Sequence, residues 1–463
     1  MSALSSAGAS RSESGGEDFQ RIGQYMYELA AELFPICRSI TGEGLRATLR
    51  RIREELPIAL REVPTGTRVL DWTIPREWNI RDAWIKNSAG ERVVDFQKSN
   101  LHLVNYSAPF RARIGLPALK PRLFSLPDHP DWIPYRTSYY REDWGFCLAH
   151  RDLLRLPEGD YDVCIDSTLE PGALSYGELL IPGQSTDEFL ISAHCCHPSL
   201  ANDNLSGVVL AVALGRHLQQ RSSRLSYRIV FAPGTIGAIA WLARNEAGLG
   251  RIKHGLVLTS VGDAAAFTYK RSRQGNAPID RALEEVLASA AAPHRILDFS
   301  PNGYDERQYC SPGFNLPVGC LMRSQHGTFP EYHTSADNLD FIQPQCLAGS
   351  FNTVLRAIDL IATGMVPAKP GDTRRDNAVP GSPGGGAQRR CLNLKPKGEP
   401  QLGRYGVYEA LQGDVSIALW VLSFSDGQHS LADIAMRGAL DFDKVAHAAD
   451  ILITRGLLKE VEP

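Results

Sequence analysis

The chain has 463 residues, 43% of them hydrophobic and 22% charged, with a formal net charge of −3. That is too long for one ordinary core, and at roughly 100–200 residues per domain about two to four folded units are expected. The near-neutral balance supplies no broad attraction to nucleic acid or to an anionic membrane, so neither is expected as a partner.

No run of eighteen apolar residues occurs, and the first eighteen residues (MSALSSAGASRSESGGED) lack the apolar stretch of a secretory signal, which makes the cytoplasm the default location. Nine cysteines, odd in number and scattered, argue against a secreted disulfide framework. Residues 1–18 are rich in Ser, Gly and Ala and are expected to be a mobile tail.

From Phe19 the apolar positions Ile22, Tyr25, Met26, Leu29, Ala30 and Leu33 recur at helical spacing, and a second amphipathic helix is predicted around Leu45 to Leu56. Residues 61–129 carry short β-favouring runs broken by Pro, Asn and Gly, which suggests a small β domain, inserted or in tandem. Residues 130–365 alternate apolar strand-like runs, among them Gly177 to Ile181, Glu188 to Ala193 and Val318 to Met322, with helical stretches such as Gly207 to Gln219. Together with 19–60 they read as an α/β sheet with helices on both faces.

Residues 366–402, rich in Pro, Gly and Arg, read as a flexible linker. Residues 403–463 read as helix, turn, helix, turn, helix and a short hairpin, resembling a winged helix, with Ser430 and Asp441 as caps. Residues 401–463 hold five Lys/Arg against nine Asp/Glu, which disfavours DNA and leaves a bound peptide, a protein or an oligomer contact as roles for this unit.

The chemistry-bearing residues cluster in FLISAHCCHPSLANDNLSG, a strand followed by a polar loop, and in EYHTSADNLD far along the chain. In open α/β sheets ligands bind at the carboxyl ends of strands, which is where His194, His197 and Asp203 fall. Catalytic zinc takes three protein ligands from imidazole and carboxylate groups and keeps a fourth position open, so His194, Asp203 and His333 are the expected set for one zinc ion. Taken singly, a loop histidine is more often a satisfied surface or capping group than a ligand, which it is roughly one time in ten. Consecutive Cys195 and Cys196 point to opposite faces of a strand and are expected to be buried rather than to share a metal.

HCCHPSLANDNLSG and YHTSADN resemble the histidine strand, aspartate loop and closing histidine loop of zinc aminopeptidases of the M28 type. Over residues 19–60 and 130–365 the chain resembles more closely a bacterial subgroup of aminopeptidase-like proteins of the DUF4910/DUF2172 type with a C-terminal winged helix; CRSITGEGLR, WTIPREWNIRDAWI, TSYYREDWGFC and YDERQYCSPGFNLP fit it. The resemblance implies a three-layer zinc-peptidase-like sheet, with His194 a terminal ligand, Asp203 the carboxylate that bridges two metals in the larger family, and His333 the ligand of the second.

It also exposes departures. Gly234 and Thr235 stand where that family has adjacent glutamates, and Thr259 and Ser260 stand near a further aspartate ligand, with Asp263 a few residues later. A single-zinc hydrolase acting on an amide of a small peptide or aminoacyl-like metabolite is therefore expected. Glu306 is the favoured base, with Asp305 beside it, and Arg307 is a candidate to hold a substrate carboxylate. Asp305 and Glu306 read equally as ion pairs with Arg307 or Arg323. His197, His326, Glu331 and Asp337 are candidates to orient the ligands. The rivals are a metal-binding scaffold without turnover and a single-zinc acyl transferase or cyclase.

Overall fold

A computed structural model describes residues 6–290, 292–367, 388–413 and 415–461, with side chains from residue 19. Its centre is an eight-stranded sheet in the order Ala59–Pro64, Ala173–Ile181, Ser226–Ala232, Glu188–His194, Ile252–Leu258, Val318–Met322, Phe267–Lys270 and His294–Leu297. The four middle strands are parallel. All seven residues of Glu188–His194 are buried, as expected of a strand paired on both sides and covered on both faces.

Side chains alternate across this sheet. Phe189, Ile191, Ala193, Ile229 and Phe231 face a layer formed by helices Ser6–Leu33, Glu43–Glu55, Gly207–Gln219, Pro278–Ser289 and Pro344–Ala362. Leu190, Val230 and Ala232 face the other way, toward helix Ile236–Asn245 and a core continuous with the β domain and the C-terminal unit. The second face is thus covered by one helix and two accessory units rather than by a full layer of helices.

Of the tail expected over 1–18, residues 1–5 lie outside the described residues, and helix Ser6–Leu33 opens at Ser6. Of the expected linker, 368–387 lie outside them too. The β domain is an insertion that ends later than 129. Its sheet runs Arg92–Asp95, Glu77–Lys86, Asp160–Glu170, Phe110–Gly115, and Asp160–Glu170 pairs with a strand on each side. Ala59–Pro64, by contrast, joins the large sheet. The C-terminal unit also begins before 403: Arg390–Asn393 is the middle strand between Asp426–Ser430 and Leu458–Val461. The expected terminal hairpin is replaced by this pairing, because the only partner for the last strand comes from ahead of the helices. Ser430 and Asp441 cap helices Leu431–Gly438 and Phe442–Thr454 as the sequence suggests.

The segment entering the C-terminal unit is stitched to the body built on the large sheet. Gly398 N–H donates to Ser311 Oγ at 2.8 Å, Glu399 N–H to Gln308 Oε1 at 2.7 Å, and Trp72 Nε1 to the Glu399 carbonyl at 2.6 Å. Arg307 pairs with the Glu399 carboxylate at 2.9 Å.

Where the insertion leaves the large sheet, Arg46 forms a two-pronged pair with Glu77, at 2.6 and 2.9 Å. Glu77 also accepts from Ala173 N–H at 2.9 Å. The Arg46 hydrogen bonds, working against burial, hold the Glu77 carboxyl down to about 2. Because the folded value is depressed, this contribution is present above the unfolded value of 4.5 and is lost as pH falls toward about 2. Glu77→Gln is expected to lower stability at neutral pH by roughly 1–3 kcal/mol, and urea melts at descending pH should show the gap from wild type closing across that window.

Candidate metal centre

His194 is the last residue of Glu188–His194 and points from its carboxyl end. The chain then loops through Cys195 and Cys196, both buried but packed in opposite cores, as their adjacency on extended backbone requires. Through Ala201–Ser206 the backbone departs from helical geometry at Asp203 and Asn204 before helix Gly207–Gln219 begins. Only glycine fits at 207, because a Cβ there would run into the Leu258 carbonyl and the Asn204 amide.

Side chains hold this irregular loop in place. Asp337 accepts from the backbone N–H of Asn202 at 2.6 Å and of Asp203 at 2.9 Å. Asn202 donates to Asp263 at 2.6 Å and accepts from Gly262 N–H at 2.9 Å. Asn204 Oδ1 accepts from the N–H groups of Gly207 and Ser260, each at 3.2 Å.

The result is a fully buried Asp203 carboxylate at the hub of four side chains. His194 Nε2 lies 2.9 Å from Oδ1. On Oδ2 converge His333 Nε2 at 3.0 Å, the Tyr304 hydroxyl at 2.6 Å and His197 Nδ1 at 3.4 Å. The sequence-derived trio of His194, Asp203 and His333 thus meets in space, although His333 comes from a loop 130 residues beyond Asp203.

Burial alone would raise the Asp203 carboxyl, but His197, His194 and His333 outweigh it and hold the group well below the usual carboxylate range. Burial lowers His194 and His333, against the pull of Asp203. The cluster therefore sets an anion against two imidazoles, His194 and His333, that favour their neutral, ligating form.

The ligand atoms of His194, His197 and Asp203 all lie within 4.8 Å of one another, so the closest-set trio has His197 where the sequence suggested His333. His197 Nδ1 is also engaged by the Asp203 carbonyl at 3.1 Å, and His333, at 32% side-chain exposure against 0% for His194 and Asp203, is the member that opens to solvent.

Aromatic rings enclose the cluster. Tyr304 stacks on His194 at 4.3 Å and Tyr332 on His333 at 3.9 Å, while their hydroxyls meet at 2.7 Å. Tyr135 meets both His197 and His333 edge-on, and its N–H donates to the His333 carbonyl at 2.8 Å. Sequence reasoning passed over these tyrosines. The available signal was a Tyr directly preceding an acid or a histidine in a polar loop, in GYDE and EYHT.

The acidic trio falls out differently. Glu306 is buried and paired with buried Lys270 at 2.5 Å, and its carboxylate also takes the Tyr304 N–H at 3.2 Å. Arg307 turns away to Glu399, and Arg323 spends its donors on Ala265, Cys346 and Ser350. The expected ion pairs of Asp305 and Glu306 with Arg307 or Arg323 are therefore not made, because a lysine from strand Phe267–Lys270 lies closer to Glu306. Asp305 is buried with neither carboxyl oxygen bonded.

A family profile described as a domain of unknown function (DUF4910) matches residues 27–363, and one described as a winged helix-turn-helix matches 389–460. The chain belongs to the DUF4910 family. A Clostridium acetobutylicum relative, named for polysaccharide biosynthesis and an aminopeptidase-like domain, is 46% identical over 97% of this chain and 98% of its own. A crystal structure from the same organism, of a chain with a peptidase name, superposes with a TM-score of 0.74 at 46% identity, over 96% of this chain and 98% of that one.

A zinc aminopeptidase from Bacillus subtilis matches with a TM-score of 0.53 at 12% identity, over 73% of this chain and 94% of its own. An M28 peptidase precursor from Shewanella amazonensis matches with 0.50 at 14%, over 76% and 96%. This DUF4910 member therefore carries the aminopeptidase-like α/β fold, a winged-helix unit, and a His/His/Asp cluster at the sheet's carboxyl edge.

Asp337→Ala leaves two buried N–H groups of the Asp203 loop unpaired. At roughly 1–3 kcal/mol for each orphaned donor, denaturant unfolding should show a loss of about 2–6 kcal/mol, with the unfolding slope unchanged.

Proposed function

We propose that this chain is a single-zinc metallohydrolase acting on an amide bond of a small peptide or aminoacyl-like metabolite. The supporting observation is the convergence of three imidazoles and a phenol on the one buried carboxylate of Asp203.

The donor set fits a divalent ion. Imidazole and carboxylate suit zinc, the carboxylate is already ionised in its setting, and cations are the natural occupants of a place where several donors crowd one anion. His194, Asp203 and His333 would hold it. A zinc ion so held polarises a carbonyl and lowers the pKa of water toward about 7.

The chain's own groups do the rest. Asp337, by fixing two successive N–H groups, sets the rotation of the Asp203 carboxylate. Tyr304 donates its hydroxyl to Asp203 Oδ2 and is linked to the Tyr332 hydroxyl at 2.7 Å, and burial keeps both phenols protonated, so the pair fixes the carboxylate on its outer side. Tyr135, Tyr304 and Tyr332 restrict water around the imidazoles.

Zinc titration by calorimetry tests the reading: wild type is expected to take up the ion, and His194→Ala and His333→Ala should each weaken uptake by at least about tenfold while keeping the fold. Zinc uptake by the double variant equal to that of wild type would sink the proposal.

A further inference from the structure

Hydrolysis of an amide needs a group that takes a proton from water and gives one to the leaving nitrogen. Five buried carboxyl groups surround the centre, and four are spoken for. Asp203 is the hub itself. Asp337 accepts two backbone N–H groups. Asp263 accepts from the Asn202 amide, Ala265 N–H and Ser324 N–H. Glu306 is held by Lys270 and the Tyr304 N–H.

Asp305 alone has both oxygens buried and free of any hydrogen bond. A carboxyl in that state is costly to keep unless it exchanges protons or meets a ligand that completes it.

Its position supplies the second observation. Gly234 follows strand Ser226–Ala232 and lies beside His194. A Cβ built on Gly234 would come within 3.1 Å of the His194 Cβ and 3.5 Å of Asp305 Oδ1. The space that a side chain at 234 would enter, on the His194 flank, is thus occupied by a carboxyl group delivered from another loop.

Resting on the single-zinc hydrolase reading, we infer that Asp305 is the proton-transfer group of this centre, standing in the place left by the missing side chain of Gly234. As the water oxygen bonds to the amide carbon, its proton passes to Asp305. The same proton then passes to the leaving nitrogen as the C–N bond breaks, releasing a carboxylic acid and an amine.

The surroundings suit that task. Burial, and then the Glu306 charge, raise the Asp305 carboxyl to about 8, against a lowering by Arg307. Burial, with a smaller contribution from Asp305, raises Cys195, Cys196 and Tyr309, which stay protonated around it. A proton acceptor is most effective near the working pH.

The test uses cobalt(II) as a spectroscopic probe in the full chain, with wild type, D305N, H333A and the exchange variant G234E/D305N. Wild type and D305N should take up cobalt within about threefold of each other, whereas H333A should lose at least about tenfold. The pH midpoint of the visible cobalt band should move by about one unit, a tenfold change in proton affinity, in D305N and return toward wild type in the exchange variant.

A midpoint in D305N within about 0.2 unit of wild type overturns the inference and leaves the metal reading standing. So does a cobalt loss in D305N as severe as in H333A, since Asp305 would then serve ligation or the fold. Absence of cobalt uptake by wild type overturns both.

Discussion

A single buried anion organises this protein's chemistry. An ionised carboxylate with no solvent exposure would be strongly destabilising if left alone, and Asp203 is kept ionised by three imidazoles and a phenol drawn from three stretches of chain. His194 and the loop carrying His333 follow parallel strands at their carboxyl ends, whereas Tyr304 lies in the loop after His294–Leu297, a strand that runs opposite to them, so the sheet feeds the groups to one place from both directions. The same dependence runs in reverse: His194, buried, and His333, half-buried, both have that carboxylate as a polar partner, and the loops carrying them have this hub as their meeting point.

Much of this was legible in the sequence for a simple reason. His194 and Asp203 are nine residues apart on a strand followed by a polar loop, and His333 lies in a second polar loop ahead of a helix, so chemistry and secondary-structure signals coincided. What escaped was long-range. Strand Asp160–Glu170 belongs to the inserted sheet rather than to the main one, yet its residues alternate like any half-buried strand, and alternation does not name a partner.

Arg390–Asn393 was hidden similarly, since four residues after a Pro- and Gly-rich stretch give no hint that they complete a sheet with Leu458–Val461. Lys270 was not among the partners the sequence suggested for Glu306, which were Arg307 and Arg323. Its burial against Lys270 follows from strand order, which composition does not encode. Tyr304 and Tyr332 were overlooked because a tyrosine beside a loop reads as packing until its hydroxyl is seen on an acceptor.

The accessory units carry more than bulk. Because one face of the large sheet has a single helix over it, the inserted sheet and the C-terminal unit complete its covering and share one apolar core with it. The short helix Glu306–Tyr309 lies where the three meet: it presents Arg307 and Gln308 to the incoming segment, while Tyr304, two residues ahead, reaches Asp203.

That junction gives the winged-helix unit mechanical standing in the aminopeptidase-like body. Residues 398–399 cannot slide relative to 307–311 without breaking the Glu399–Arg307 pair and the bonds to Gln308 and Ser311, and a shift of that length of chain reaches Tyr304 within three residues. The joint between the two units and the phenol that reaches Asp203 are thus carried by one short stretch, residues 304–311.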